Sequence, residues 1–287
     1  SNQETDISFL KSHIAKRKIP SIYRSDLALV ISETEYKILI ETFKIDSAIL
    51  WYLPFMIPSQ NCEPRLDCKT YSERHDFVSI GNFLHPPNSD VVRYLKKDIW
   101  PRIRKSLPET KLHIYGAYDT PVFKEMHNEK EGFLIHGFVE DAFEVLNSAK
   151  VLLAPLRFGA GLKGKLIQAM QTGTPCAMSS VAAEGMFGAM DPNGIVEDTV
   201  DVFAARAVAL YSKLPEWEAF QVQGFSVLKN RFEKELHQTN FINQVNTLLE
   251  TLDAHRSQNF IGQMLSHHQM QSTKYMARWI EAKNAKL

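Results

Sequence analysis

The chain has 287 residues, with 33 basic and 33 acidic side chains and therefore a formal net charge of zero. Its composition is 44% hydrophobic and 23% charged, with thirteen glycines and thirteen prolines, which excludes collagen-like, low-complexity and largely disordered chains. The balanced charge gives no support to nucleic-acid binding, which usually shows a basic excess. The length predicts one large domain or two ordinary ones.

Three cysteines, Cys62, Cys68 and Cys176, are too few for a disulfide framework, and no pair has the C-x-x-C spacing of a zinc site. No apolar run approaches the ~18 residues of a membrane span. The first twenty residues lack the apolar core of a signal peptide. We therefore expect a cytoplasmic protein with reduced thiols.

The N-terminal part predicts two buried strands, at 27–32 and 48–53, joined by a helix over 33–43. Two strands do not form a stable α/β sheet alone. They either extend a larger sheet or belong to a second sheet whose first strands are missing. The polar stretch 59–73 is typical of an interdomain linker.

The middle of the chain alternates short β-rich runs with helical patterns. The predicted strands are 77–80, 112–115, 133–136, 151–154, 175–178 and 194–196, whose starts lie 18 to 35 residues apart. Hairpins need far fewer residues between strands, whereas a crossover helix and a parallel return strand need this spacing. The pattern predicts an α/β domain, a Rossmann-like parallel sheet flanked by helices, from about Arg74 to Val200.

Helix signals fill the spaces between these strands and all of the C-terminal region. Asn88 and Asp141 each have the side chain of an N-cap, and Gly173 follows a helical pattern over 163–172. The later predicted helices are 202–213, 216–232, 236–252 and 256–285. The last of them either packs on the body of the protein or lies on a membrane surface, for which its basic face is modest.

One stretch combines glycines with cations. Between a strand ending at Pro155 and the next helical pattern lie Gly159, Gly161 and Gly164, interleaved with Arg157, Lys163 and Lys165. A glycine-rich turn lets the backbone approach a ligand, and the start of a helix leaves amide hydrogens unpaired and favours negative charge. The stretch predicts a phosphate or diphosphate site at the carboxyl end of a strand. The alternative is a structural turn with solvated lysines.

Two standard phosphate-binding motifs are not matched. Leu166 stands where a P-loop has the Ser or Thr that binds magnesium. The glycine string 159–164 does fit G-x-G-x-x-G, but it follows the fourth strand of the domain rather than the first. Neither a P-loop nucleotidase nor a dinucleotide-binding protein is therefore indicated.

Several short motifs stand in a fixed order over residues 77–188. They are Ser79-Ile80-Gly81-Asn82-Phe83 with Pro86-Pro87-Asn88, His136-Gly137-Phe138-Val139-Glu140-Asp141, Ala154-Pro155-Leu156-Arg157 through Pro175, and Ala183-Glu184-Gly185. As an ordered set they resemble the C-terminal, nucleotide-sugar-binding domain of GT-B glycosyltransferases, in the large retaining group called family four. Residues 23–55 also resemble the closing part of the N-terminal domain of such a family.

The resemblance implies a GT-B fold and a nucleoside-diphosphate sugar as donor substrate. It implies that the donor diphosphate and sugar are bound by Gly81, Asn82, Arg157, Gly159, Gly161, Lys163, Lys165 and Glu184, and the nucleoside by Phe138, Val139 and Gln168. The family usually has glutamates at the positions that are Ala160 and Gln168 here. Gln168 can still accept a hydrogen bond from a ribose hydroxyl, but it brings no charge.

The expected activity is transfer of a sugar from a nucleoside-diphosphate sugar to an acceptor that the sequence does not identify. The resemblance implies a retaining mechanism that uses neither a metal nor a cofactor, and it assigns no catalytic residue. Ala160 and Gln168 favour an alternative, in which the chain is a non-catalytic domain that binds a nucleotide sugar or another phosphate ligand.

The resemblance also sets the expected domain limits. Residues 1–58 would be the end of a truncated N-terminal, acceptor-side domain, 59–73 a linker, 74–230 the nucleotide-sugar-binding domain, and 231–287 helices that pack back toward the N-terminal domain. We expect the chain to be a fragment of a longer protein. Apolar faces of residues 7–55 and 261–280 would then be partly uncovered, or covered by self-association.

Overall fold

The structure, a computed structural model, describes residues 13–118 and 120–284. The strands are β1 (Ala28–Val30), β2 (Leu50–Tyr52), β3 (His75–Ile80), β4 (Leu112–Tyr115), β5 (Phe133–Gly137), β6 (Ala149–Ala154), β7 (Cys176–Met178) and β8 (Gly194–Val196). The helices are α1 (His13–Tyr23), α2 (Glu33–Glu41), α3 (Pro86–Tyr94), α4 (Trp100–Ser106), α5 (Pro121–Lys124), α6 (Ala142–Ser148), α7 (Gly164–Gln171), α8 (Ser180–Ala183), α9 (Val200–Ser212), α10 (Leu214–Val227), α11 (Lys234–Glu250), α12 (Leu252–Gln258) and α13 (Phe260–Asn284).

The described residues divide into two compact units. The larger contains residues 54–238, and the smaller combines residues 13–53 with 239–284. The limits expected from the sequence, at 58, 73 and 230, stay predictions. Residues 59–73 belong to the larger unit, where Cys62 is buried and the Tyr71 hydroxyl donates to the Tyr211 carbonyl.

The larger unit is built on a six-stranded sheet in the order β5-β4-β3-β6-β7-β8, with every neighbouring pair parallel. All six strands predicted for this region are confirmed, with ends displaced by at most two residues. The central strand β6 is apolar and buried from Val151 to Ala154, as expected where helices cover both faces of a parallel sheet. The predicted α/β class and its flanking helices are therefore confirmed.

The smaller unit contains the other two strands. β1 and β2 pair in parallel as a sheet of their own, with Ala28 opposite Leu50, and α2 connects them. They do not extend the six-stranded sheet, so the first of the two alternatives that the sequence left open is wrong. Their core is small: Val30, Ile45 and Ile49 are buried together with Leu50.

Three helix predictions need correction. Asn88 does not cap a helix, because α3 begins two residues earlier, at Pro86, with His85 at the N-cap. Proline suits the first helical position, where its missing N–H is not needed. The predicted helix 216–232 is α10 followed by a π-helical turn at Leu228–Phe232. The predicted helix 256–285 is broken at Asn259, and residue 285 lies outside the described residues.

The other predicted caps are confirmed. Asp141 Oδ1 accepts hydrogen bonds from the backbone N–H groups of Phe143 and Glu144, at 2.7 and 3.3 Å. Helix α7 ends at Gln171, and Gly173 beyond it has a φ of +64°, which glycine adopts without strain. These two helices, α6 and α7, flank the carboxyl end of β3.

None of the described helices combines the length and apolarity needed to cross a membrane. Within the same residues, no group of three or more His, Cys, Asp or Glu side chains is arranged to hold a metal ion.

Candidate functional site

A cleft of about 390 Å³ opens at the carboxyl end of β3. It is lined by Phe55, Ile80, Gly81, Phe143, Gly164, Lys165, Ile167, Gln168 and Gln171. The chain runs from β3 outward to β4 on one side, and from β6 outward to β7 on the other. The cleft therefore lies at the point where the strand order reverses, which is where open α/β sheets bind ligands.

Gly81 lines this cleft, and the Asn88 side chain packs closely against it. A Cβ atom added to Gly81 would lie only 2.6 Å from Asn88 Cγ, so the close approach of the two residues requires glycine at this position. Asn88 Nδ2 donates a hydrogen bond to the Asn82 carbonyl at 3.0 Å, and Asn82 Oδ1 accepts one from Leu84 N–H at 2.8 Å. The predicted donor-site residue Asn82 thus holds the loop through both its backbone and its side chain.

Lys165 lies in the first turn of α7 and lines the cleft. Its Nζ donates a 2.8 Å hydrogen bond to Asn88 Oδ1. Burial, together with the charge of Lys163, lowers the pKa of Lys165 to about 8. The hydrogen-bond partner is a neutral amide, so it does not offset the charge of the ammonium group.

The glycine-rich loop before α7 is held by Lys163. Gly159 and Gly161 have φ angles of +130° and +75°, in the region that favours glycine. The Lys163 side chain is buried, and its Nζ donates to the carbonyls of both glycines. Lys163, which the sequence predicted to bind phosphate, therefore bonds the backbone of the loop in this structure.

Arg157 stands outside the residues that line the cleft. Its Nε donates to Asp90 Oδ2 at 2.8 Å, its Nη2 bonds the other carboxylate oxygen, and its guanidinium lies over the Tyr94 ring. These hydrogen bonds to Asp90 raise the pKa of Arg157. The sequence pattern of three cations without a nearby acid missed Asp90, because that residue comes from α3, 67 positions earlier.

Gln168 follows Lys165 by three residues on α7, so both side chains reach the same cleft. Phe55 and Phe143 belong to the apolar part of the lining, and Gln171 adds a polar side chain. The sequence did not assign a role to any of these three. The only available signal was for Phe143, which comes directly after the predicted start of α6.

The predicted nucleoside-flanking residues Phe138 and Val139 follow β5. Phe138 is 70% exposed, and Val139 lines a second cleft, of about 410 Å³, over the face of β3 and β4. A chain of polar side chains crosses this face. Asp76 Oδ2 lies 3.1 Å from His113 Nε2, and His113 Nδ1 lies 2.9 Å from His136 Nε2.

The surroundings shift the pKa values of two of these groups. Burial would raise the pKa of Asp76, but hydrogen bonds from His113 and the Lys111 N–H lower it below its usual value. Burial and the neighbouring imidazoles lower the pKa of His136, whose ring also stacks on Tyr115. This polar chain ends beside the Phe138–Val139 loop and was not predicted from the sequence.

Glu184, the remaining predicted residue, is exposed at the end of α8. The turn that follows it is held by Arg231, which donates to the carbonyls of Met186 at 3.2 Å and Gly185 at 3.4 Å. Of the eleven predicted site residues, the structure gathers Gly81, Lys165 and Gln168 in one cleft. The others lie in the loops around it or, for Val139, in the second cleft.

A six-stranded parallel sheet flanked by helices, with a cleft at its switch point, is the architecture of one Rossmann-like half of a GT-B fold. Residues 74–213 match the family model described as "Glycosyl transferases group 1". None of the curated protein sequences matches the chain significantly.

Solved glycosyltransferase structures have the same fold. S. aureus TarM, crystallised as a mutant with UDP, is 14% identical, with a TM-score of 0.67 over 82% of this chain and 47% of TarM. The pneumococcal O-GlcNAc transferase GtfA, crystallised with UDP and GlcNAc, is 17% identical, with a TM-score of 0.59 over 78% of this chain and 45% of GtfA. The lipopolysaccharide glycosyltransferase WaaG is 15% identical, with a TM-score of 0.55 over 71% of this chain and 58% of WaaG. The chain thus spans about half the length of these proteins.

Proposed function

We propose that this chain carries the donor-binding part of a glycosyltransferase that moves a sugar from a nucleoside-diphosphate sugar to an acceptor. The observation that carries the proposal is Lys165, a cation in the first turn of α7 that lines the cleft and has a neutral hydrogen-bond partner. The group 1 family match and the UDP bound in TarM and GtfA support a nucleotide-sugar donor.

In the proposed reaction, the bond between the anomeric carbon of the sugar and the diphosphate breaks, and a bond forms from that carbon to the nucleophilic atom of the acceptor, which gives up its proton. The diphosphate leaves with additional negative charge. Lys165 and the backbone amides at the start of α7 would stabilise that charge. We propose a retaining, metal-independent reaction, in which these groups supply the positive charge. Arg157 would contribute only if the diphosphate replaces Asp90 as its partner.

The nucleoside would extend from Gln168 in the cleft toward the loop that carries Phe138 and Val139. Gln168 would accept a hydrogen bond from a ribose hydroxyl through Oε1, and Phe138 and Val139 would flank the base. Because glutamine has no charge, this contact is weaker than a carboxylate would provide.

A second candidate function is binding without catalysis. It is favoured by Ala160 and Gln168, which stand where the family usually has two glutamates. A transfer assay on the full-length protein separates the two functions. Release of the nucleoside diphosphate from donor sugars supports the enzyme, whereas donor binding without turnover supports the binding module.

Calorimetric titration with UDP and GDP tests the site itself. We expect Lys165→Ala to weaken binding of the preferred nucleotide about 10- to 150-fold, which corresponds to about 1.5–3 kcal/mol for a charge-assisted hydrogen bond. Lys105→Ala, at an exposed position on α4, is the matched control and should bind as the wild type does. An unchanged affinity in Lys165→Ala would move the phosphate site elsewhere.

A further inference from the structure

Asn88 contacts two residues that line the cleft, Gly81 and Lys165. Its Oδ1 accepts from Lys165 Nζ at 2.8 Å, its Nδ2 donates to the Asn82 carbonyl at 3.0 Å, and its side chain fills the space that Gly81 leaves. These contacts join the loop after β3, the first turn of α3 and the first turn of α7. The side chain is therefore held in one orientation, with its oxygen toward the lysine.

We propose that Asn88 is a positioning residue that presents Lys165 to the cleft as a cation whose charge is not offset. Because Asn88 is an amide rather than a carboxylate, the site is selective for the diphosphate of its ligand. This inference rests on the proposed function, since it concerns the same site.

Helix α3 itself shows what a carboxylate does in this setting. Two residues beyond Asn88, Asp90 pairs with Arg157 through both carboxylate oxygens. One turn of α3 thus offers a charged partner to one cation and a neutral partner to the other. Because an ion pair satisfies both its members, Arg157 is occupied, whereas Lys165 retains its attraction for an anion.

The described residues that line the cleft include no carboxylate to balance the charge of Lys165, so an anionic ligand is the expected counter-charge. From α6 the cleft receives Phe143, and from α7 it receives Gln168 and Gln171, all of them uncharged. The charged group that acts on Lys165 is Lys163, whose Nζ is turned to the loop carbonyls and which disfavours a second ammonium nearby. Burial without a counter-charge and repulsion by Lys163 both disfavour the charged form of Lys165. A bound diphosphate would offset both.

The test compares UDP with uridine in calorimetric titrations of the protein and of Asn88→Asp and Asn88→Ala. The new carboxylate in Asn88→Asp pairs with Lys165, so we expect UDP to bind at least tenfold more weakly at pH 7, while uridine binding is unchanged. Asn88→Ala should lie between Asn88→Asp and the wild type. A merely structural role predicts the opposite, because the aspartate has the shape of asparagine and alanine leaves a gap, and both ligands would then weaken together.

The pH profile provides a second measurement. UDP affinity of the wild type should fall as the pH rises from 7 to 9, since Lys165 loses its proton near pH 8. In Asn88→Asp the carboxylate keeps the lysine protonated, so the remaining affinity should change less over this range. Equal pH profiles in the two proteins would overturn the inference.

A Lys165→Ala background separates this inference from the proposed function. If Asn88 acts through the lysine, Asn88→Asp causes little further loss of UDP affinity once Lys165 is absent. If Lys165→Ala lowers UDP affinity but Asn88→Asp, folded as judged by its melting temperature, does not, the positioning role is wrong and the site stands. If Lys165→Ala has no effect, the proposed site is itself wrong.

Discussion

At the scale of single residues, Lys165 combines a cost to folding with a use in binding. Its pKa of about 8 lies well below the ordinary 10.5 because the ammonium group is largely withdrawn from water beside Lys163. A shift of one pKa unit corresponds to about 1.36 kcal/mol. The protein therefore keeps at this position a charge that destabilises the fold without its ligand.

The first prediction is that Lys165→Met stabilises the protein while weakening nucleotide binding. Methionine keeps the length and flexibility of the side chain but needs no hydration. We expect the free energy of unfolding to rise by about 1–3 kcal/mol at pH 7, measured by urea denaturation with fluorescence. A variant less stable than the wild type would contradict the assignment of Lys165 as a strained cation.

The same shift predicts how stability depends on pH. Between pH 8 and 10.5 the unfolded chain keeps the Lys165 proton more firmly than the folded chain does. Because stability rises with pH wherever the unfolded state binds more protons, this residue contributes an increase over that window. The contribution should be absent in Lys165→Met, so the difference in stability between the two proteins should narrow as the pH rises from 8 to 10.5.

At the scale of elements, two glycines of the glycine-rich loop differ in whether the backbone conformation requires glycine. Gly161 has a φ of +75°, whereas Gly164 stands at the start of α7 in an ordinary helical conformation, with open space where a Cβ would lie. The same substitution at the two positions should therefore have effects of opposite sign on stability.

We expect Gly161→Ala to lower the free energy of unfolding by about 1–2 kcal/mol, the cost of a left-handed conformation for alanine. Gly164→Ala should raise it by about 0.5–1 kcal/mol, because alanine is the better helix former. Since Gly164 lines the cleft, its methyl group should still weaken UDP binding. Both are measured by denaturant titration, and destabilisation by Gly164→Ala would show that the loop has another constraint there.

The elements that the sequence predicted well are those decided by local pattern. In β6 the residues from Val151 to Ala154 form a continuous apolar run, and the spacing of such runs left a parallel sheet as the workable arrangement. The break at Asn259 had no such signal. That side chain bonds the Tyr23 carbonyl at 2.8 Å, a contact 236 positions distant along the chain. Helix ends of this kind are decided by packing, which a single sequence does not contain.

The candidate site shows the same division between features predicted from local sequence and contacts between distant residues. The glycines and lysines before α7 were visible because an anion site at a helix start needs them close together in sequence. The partners of the cations were not, because Asn88 and Asp90 reach Lys165 and Arg157 from α3 through the order of the strands. The sequence thus indicated the cations and missed which of them keeps its charge for a ligand.

At the scale of the whole molecule, zero net charge conceals an uneven distribution. Arg157 is paired with the acidic side chain of Asp90, whereas the partner of Lys165, Asn88, is uncharged. Neutrality of the whole chain keeps long-range attraction of anions weak. Affinity for a nucleoside diphosphate must therefore come from contacts inside the cleft, which short-range charge and helix amides supply.

The two compact units differ most in the size of their cores. In the larger unit a continuous buried cluster includes both faces of the sheet, with Phe77, Trp100 and Phe133 fully enclosed. In the smaller unit the buried cluster consists of Val30, Ile45, Ile49 and Leu50. Burial of apolar surface is the main favourable term in folding, so the smaller unit has less to hold it together.

The final prediction follows from this difference and uses hydrogen exchange measured by mass spectrometry. Amides of β1 and β2 should exchange through local opening at a lower free energy than those of β3 and β6, which should require opening of the larger core. The β1–β2 sheet has only two strands, so each of its strands has an edge unpaired within the sheet, whereas β3 and β6 have neighbours on both sides. Val30→Ala should speed exchange in β1 and β2 and leave β6 unchanged if the units open independently. Equal protection of the two sheets would instead mean that the small sheet is stabilised by something other than its own core.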